Sequence, residues 1–416
     1  MKIKHLESKS LSVILFIIIF VMYSIVYMTK NMFSSAMATI VEEGIMTKSQ
    51  TGLISGVFWL VYAVFQVFGG FAVDKHSPSK LISIGIIGAI ISNLIIYLYP
   101  TYPIIMAAWI FNAIIQFGLW PGIFKIVSTE LKESFRSTGI FWILFSTSIG
   151  LALSMLVASY VTNWLDNFLV SVLSLVFSLI LWIVGYGLIS KKMVTEGILE
   201  THTKKQEHPI KTMDMKSVIF STGLISIIII SFLRTMVDSG MKMMTPVMLM
   251  ESYSNIPAAI ATRMSVILVV FSAIGTFITG FVRKYITTNE VTGTIGLVSI
   301  SIPALILSFF VGKINYIAVL AGLSIAMAFV HSSAPLTGSF SAMRFNPYGR
   351  GGTVAGIINA TAAIGNVFAS YVFARIAELA PWSSVVLIWI IGMVMSVILC
   401  IIIIPLWNKF ISKGNV

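Results

Sequence analysis

Residues 191–215 read KKMVTEGILETHTKKQEHPIKTMDM, the longest polar stretch of the chain. Lys191, Lys192, Lys204, Lys205 and Lys211 lie in it, with His202, Gln206 and His208. Outward from it in both directions the chain turns apolar. A helix needs about 20 mainly apolar residues to cross the hydrocarbon core of a bilayer. Such runs fall at 11–40, 51–73, 81–99, 103–127, 137–161 and 167–190 before the polar stretch, and at 216–249, 256–281, 290–311, 314–343, 352–377 and 382–407 after it. The reading is an all-α polytopic membrane protein with twelve spans: an N-terminal six-helix bundle over 1–190, a solvated cytoplasmic linker over 191–215 and a C-terminal six-helix bundle over 216–416. Spans above the minimum length imply tilt or kinks rather than further crossings. Outer-membrane strands would alternate polar and apolar residues, whereas Val13–Met22 and Ile401–Ile404 are apolar throughout.

Composition agrees. The 416 residues are 57% hydrophobic and 10% charged, with mean hydropathy +0.98. A soluble domain carries about a quarter charged residues, so a soluble enzyme is excluded, as is a disordered or collagen-like chain. The net charge is +12. In a soluble protein that excess would point to nucleic acid. Here it is expected to hold cytoplasmic loops against an anionic leaflet, so the expected large partner is the lipid bilayer and not nucleic acid. The single cysteine, Cys400, permits neither a disulfide framework nor a Cys/His zinc spacing. No metal and no cofactor is expected. Lys2, Lys4 and Lys9 precede an apolar run as in a signal peptide, but no small-residue cleavage site follows directly, so the run is read as span 1.

Loop charge sets the expected orientation. Alternate loops carry Lys75/Lys80, Lys132/Arg136, the central lysines, Arg283/Lys284 and Arg344/Arg350, and both termini are basic. The loops between them are nearly bare: Lys48 beside Glu42 and Glu43, then Asp166, Glu251, Lys313 and Glu378, with Arg263 and Arg375 near that side. The positive-inside rule puts both termini and the central loop in the cytoplasm of a cell whose inner (plasma) membrane holds the protein.

Ionisable residues inside a span are costly and mark functional sites by default. Away from span ends they are Lys30, Lys125, Arg234, Asp238 and Lys242. Tyr23 and Tyr27 share a helical face with Lys30, so an ammonium and two phenols form a cradle for an anion. The rival reading is a lysine snorkelling to the outer interface. Arg234 holds the matching place in span 7, with Asp238 and Lys242 at steps of four. Its planar fork suits phosphate or carboxylate. Asp238 is expected to pair with Arg234 or Lys242, and one acid cannot neutralise both cations. Lys125 marks either the cytoplasmic mouth of a cavity or an ordinary interface. Gln66, Asn112, Gln116, Asn359 and Asn366 are read as helix-to-helix contacts. His331 in span 10 is either a ligand or a structural histidine without an evident partner. The first half has no acid inside any span. Proton-driven carriers commonly need one, so exchange or facilitated movement is favoured, and Asp238 is the one candidate proton carrier.

These residues resemble a known family. Tyr27-Met28-Thr29-Lys30-Asn31-Met32-Phe33-Ser34-Ser35-Ala36-Met37, ending Val41-Glu42-Glu43-Gly44, is similar to the first helix of the organophosphate:phosphate antiporters, the glycerol-3-phosphate and hexose-6-phosphate transporters of the major facilitator superfamily. Phe232-Leu233-Arg234, with Asp238 and Pro246, resembles their seventh helix. Gly118-Leu119-Trp120-Pro121, with Lys125, resembles their fourth. Gly70 to Pro78, through Asp74 and Lys75, resembles the superfamily's loop 2–3 signature, and Gly352-Thr353-Val354-Ala355-Gly356 the start of helix 11. Lys30 stands where the family has arginine, Thr147 near a histidine of the glycerol-3-phosphate transporter. The second-half copy of the loop signature, Gly280-Phe281-Val282-Arg283-Lys284, lacks its acid.

The resemblance implies the major facilitator fold and an alternating-access carrier, not an enzyme, working as a monomer on a small anionic substrate. Lys30 and Arg234 would clamp the anion, with Tyr23, Tyr27, Lys125, Asp238 and His331 around it, and Asp74 and Lys75 would gate the cytoplasmic side. The substrate implied is a phosphate ester exchanged for inorganic phosphate. The alternatives are a carboxylate such as a sugar acid or dicarboxylate, and, ranked lower, a sensor of sugar phosphates. A membrane-embedded enzyme would need a nucleophile–base pair or a metal cluster within the spans.

Overall fold

Small residues decide where the helices meet. Between membrane helices no hydrophobic force operates, so association depends on close packing and polar contacts. The computed structural model describes residues 6, 8–161, 163–195, 221–311, 315–348 and 350–414. Among them there are helices and no strand. The first half contains α1 (Lys9–Ser35), α2 (Met37–Glu42), α3 (Lys48–Lys75), α4 (Pro78–Leu98), α5 (Tyr102–Ile115), α6 (Leu119–Thr129), α7 (Glu133–Ile143), α8 (Phe145–Tyr160) and α9 (Asp166–Thr195). The second contains α10 (Leu224–Ser252), α11 (Ala258–Tyr285), α12 (Glu290–Val311), α13 (Tyr316–Ser332), α14 (Gly351–Val367), α15 (Phe373–Leu379) and α16 (Trp382–Gly414), with π-helical turns at Leu336–Phe340 and Phe368–Val372.

Eleven of the described helical stretches are long and apolar enough to cross a membrane, and α7 with α8, bent by 40°, makes a twelfth if the pair is one span. The expected polar linker lies outside the described residues from 196 onward, and Lys191–Thr195 still belong to α9.

By internal contacts the chain forms two units, Met1–Ile40 with Val61–Lys205, and Val41–Leu60 with Gln206–Val416. In the first unit α1 packs on α8 and α9, and α4 packs on α5, α6 and α9. Leu15, Ile19, Met22 and Val26 recur on one face of α1 and join Ile82, Ile86, Ile123 and Trp182 in the core. Gly150 lets α8 touch α1: a Cβ there would sit 2.5 Å from the Ser24 carbonyl oxygen.

In the second unit α10 packs on α11, α14 and α16. Leu224, Ile227 and Ile230 of α10 meet Phe345, Ile403 and Trp407. The segment Val41–Leu60 belongs here for reasons that charge patterning alone did not show. Gly52 on α3 lies so close to the π turn that a Cβ would overlap the Ser370 carbonyl oxygen. Lys48 Nζ meets both Glu251 carboxylate oxygens, at 2.8 and 2.9 Å, and donates to the Ala377 carbonyl at 3.0 Å. The Ser49 backbone N–H donates to Glu378 Oε1 at 2.7 Å, and its hydroxyl binds the other oxygen. Glu42 accepts from the Ala258 backbone N–H at 3.1 Å. The sparse charges of the loops expected outside the cytoplasm thus engage one another.

Candidate functional site

In the first unit the site is built on α1. Lys30 is 2% exposed, which does not suit a lysine snorkelling to an interface. Its Nζ lies 3.9 Å from the ring centroid of Tyr62 on α3, a cation–π contact. No carboxylate pairs with it among the described residues. One and two turns earlier on α1, Tyr27 and Tyr23 meet edge to face, with centroids 6.0 Å apart. Tyr23 stacks on Trp120 of α6 at 5.1 Å. The Trp-Pro motif of span 4 therefore contributes an aromatic wall against Tyr23.

Lys125, on the same helix as Trp120, donates to the Val73 carbonyl near the end of α3 at 2.7 Å. A cation at a helix C-terminus is favourable in the field of the backbone dipoles, so this contact ties α6 to α3. Lys75 is exposed in the last turn of α3. The side chain of Asp74 lies outside the described ones.

In the second unit Arg234 is 8% exposed. One terminal nitrogen donates to Thr235 Oγ1 at 2.6 Å, while the buried Nε has no hydrogen-bond partner. Of the two partners expected for Asp238, Arg234 or Lys242, the structure shows Lys242, and His331 joins it. Asp238 Oδ2 takes Lys242 Nζ at 2.9 Å and its Oδ1 takes His331 Nδ1 at 2.8 Å. Steps of four on a helix suit Asp238 to either neighbour, and a third group from α13 adds to the choice. His331 thus has the partner that the sequence did not disclose. Lys242 Nζ also stands 3.4 Å from His331 Nδ1.

The polar neutral residues divide. Asn366 accepts from Ser239 at 2.6 Å and joins α14 to α10. Gln116 donates to Asn112 at 2.5 Å in the core of the first unit. Gln66 is half-buried and Asn359 exposed. Thr147 bonds to the Leu144 carbonyl at 2.7 Å, within its own helix region.

Sequence reasoning missed two features. Tyr62 lies on another helix from Lys30, and no local spacing connects them. The acid lacking from Gly280–Lys284 comes from Glu290, at the start of α12. Its Oε1 accepts from Arg344 Nε at 3.0 Å and Arg283 at 3.3 Å, and its Oε2 from the Trp407 indole at 3.4 Å. A contiguous motif cannot reveal an acid supplied seven residues later. No group of three or more His, Cys, Asp or Glu able to hold a metal occurs among the described residues.

Over 134 residues, 32% of the chain, the sequence is 28% identical to a probable hexose phosphate transport protein of Chlamydia trachomatis serovar D, covering 29% of it. Over 137 residues it is 25% identical to the membrane sensor protein UhpC of Escherichia coli K12, covering 31% of that protein. The matches therefore span under a third of these relatives' lengths. Among solved structures, an inward-facing bacterial homolog of the human lysosomal transporter Spinster superposes with a TM-score of 0.71 at 15% identity, over 98% of each chain. A D-xylose–proton symporter does so at 0.70 and 14%, over 98% of this chain and 99% of its own. At such identities the likeness is one of fold. Residues 19–370 match the Major Facilitator Superfamily; the chain is a polytopic membrane protein belonging to that superfamily.

Proposed function

We propose that the protein is a secondary transporter that moves a small organic anion by alternating access, and that the anion is a phosphate ester exchanged for inorganic phosphate. One observation carries the reading: each unit buries a cation whose charge its described neighbours leave uncompensated. Lys30 has a ring face in place of a carboxylate, and Arg234 keeps an unpartnered Nε while Asp238 serves Lys242 and His331. A buried unpaired cation is unfavourable by several kcal/mol, and an oxyanion removes the deficit. Lys30 supplies a point charge and Arg234 a fork, and Tyr23, Tyr27 and Trp120 supply apolar faces for the organic part. The similarity to a protein named for hexose phosphate transport supports the phosphate ester.

Lys30 favours a second reading, because an ammonium binds a carboxylate as well as a phosphate. The similarity to a membrane sensor protein supports a third, in which the same site reports its ligand. The bilayer is the plasma membrane, the termini are cytoplasmic and the monomer is the working unit. Asp74 and Lys75 latch the cytoplasmic side.

The test is uptake of labelled inorganic phosphate into proteoliposomes preloaded with phosphate. Exchange in the wild type, lost in Arg234→Ala and not restored by Arg234→Lys, supports the reading. Folded protein that exchanges sugar acids but not phosphate selects the carboxylate. Folded protein that binds a phosphate ester without moving it selects the sensor.

A further inference from the structure

Three titratable groups meet in the second unit, one turn and more along α10 from Arg234. Asp238 and Lys242 come from α10 and His331 from α13, with contacts of 2.8 and 2.9 Å to the carboxylate. A carboxylate oxygen and a bare ring nitrogen repel at 2.8 Å, so a proton lies between them. Oδ2 already holds the Lys242 ammonium, which places that proton on the ring, with Nδ1–H donating to Oδ1. The 3.4 Å approach of Lys242 to the same nitrogen is then a neighbouring charge and not a hydrogen bond. The ring keeps one basic lone pair, on Nε2. The His331 side chain is 26% exposed, so the ring is open to water on part of its surface.

We propose that His331 is a proton site coupled to anion binding at Arg234; the coupling rests on the anion reading above. The charges facing the ring are Asp238, Lys242 and Arg234, all from α10. Among the described residues, α11 and α12, which also pack on α13, bring no titratable group to it. With the ring neutral, two cations and one carboxylate leave this cluster one positive charge in excess. A phosphate monoester carries about −1.5 to −2 near neutral pH. A proton from water adds to Nε2, and no other bond changes. The imidazolium stays held through Nδ1–H to Asp238 and adds positive charge to the cluster that holds Arg234. An anion at Arg234 and a proton on His331 therefore stabilise each other, and linkage makes the effect reciprocal. The dianion is carried with a proton.

Two measurements test this. Phosphate exchange in proteoliposomes is followed in wild type and His331→Gln across about pH 5 to 8, the range in which imidazole titrates. Phosphate titrates identically in both, so the difference in pH dependence belongs to the protein. The wild-type apparent affinity should change by up to about tenfold per pH unit beyond that of the variant, the limit for one coupled proton. The same pH dependence in both overturns the proposal. Independently, nitrogen NMR of labelled wild-type protein in nanodiscs should show the Nδ1–H tautomer, with Nε2 taking a proton as pH falls and holding it to higher pH once inorganic phosphate is added. An Nε2–H tautomer overturns the proposal, as does a titration that phosphate leaves unmoved while exchange occurs. If the wild type exchanges no phosphate, the transport reading falls. An Nε2 that then fails to titrate removes the proton site, and one that titrates without responding to phosphate removes the coupling.

Discussion

Replacing Glu290 by glutamine should loosen the end of the second unit where Arg283 and Arg344 meet it. The side chain is 2% exposed and receives Arg344 at 3.0 Å, Arg283 at 3.3 Å and the Trp407 indole at 3.4 Å. Glutamine keeps the shape but loses the charge, and its amide nitrogen brings a donor among donors. Removing one partner of a fully buried ion pair costs about 3–5 kcal/mol. Here the arginines retain 26% and 27% exposure, and water screens what they lose, so about 2–3 kcal/mol is expected. For a cooperative unit of this size that corresponds to a fall of roughly 5–10 °C in apparent melting temperature. The assay is a thermal ramp in detergent followed by tryptophan fluorescence, with Trp407→Phe separating the local signal from global unfolding. Glu290→Asp should recover part of the loss, since it keeps the charge. A Glu290→Gln protein melting within about 1 °C of wild type would refute the claim that this acid replaces the one missing from the loop signature.

On the anion reading, Tyr62→Leu should weaken binding, and it should destabilise the first unit by about 0.5–2 kcal/mol, the order of a cation–π contact, while Tyr62→Phe keeps the ring face and should recover that part of the loss in a thermal-shift assay. Gly150→Val puts a Cβ 2.5 Å from the Ser24 carbonyl oxygen and 2.8 Å from Tyr27 Cβ; overpacking by about 1–3 kcal/mol should show as a lowered melting temperature and reduced yield of monodisperse protein. Lys48→Ala removes three hydrogen bonds, to both Glu251 oxygens and to the Ala377 carbonyl, from a side chain only 12% exposed, so melting should reflect a loss of about 1–2 kcal/mol.

Much of the fold was legible because the bilayer imposes a length and a polarity on each span, and both are local properties of the sequence. The twelve apolar runs and the two cationic helices α1 and α10 came from that constraint. The site was legible only where its parts lie on one helix. Tyr23, Tyr27 and Lys30 share α1, and Asp238 and Lys242 share α10, so a spacing of three or four announces them. The partners that decide their chemistry come from elsewhere. Tyr62 covers Lys30 from α3, Trp120 stacks on Tyr23 from α6, and His331 reaches Asp238 from α13. The same limit hid the grouping of Val41–Leu60 with the second unit, which depends on Gly52, Lys48 and Ser49 meeting residues more than two hundred positions away.

The two buried cations meet the same difficulty with different chemistry. A cation–π contact returns about 2 kcal/mol or somewhat more when desolvated, against the several kcal/mol by which burial disfavours an unpaired ammonium. Tyr62 therefore holds Lys30 in place without neutralising it. Arg234 spreads its charge over a guanidinium, gives one donor to Thr235 and leaves Nε unmet. The acid that would have satisfied it, one turn away, is taken by Lys242 and His331. Had Asp238 paired with Arg234, Lys242 would hold the unmatched charge instead, a point charge in place of a planar fork. On the reading proposed above, the diversion of that one carboxylate leaves the arginine's fork to the anion, and it turns His331 from a spare polar residue into a group whose charge the anion can feel.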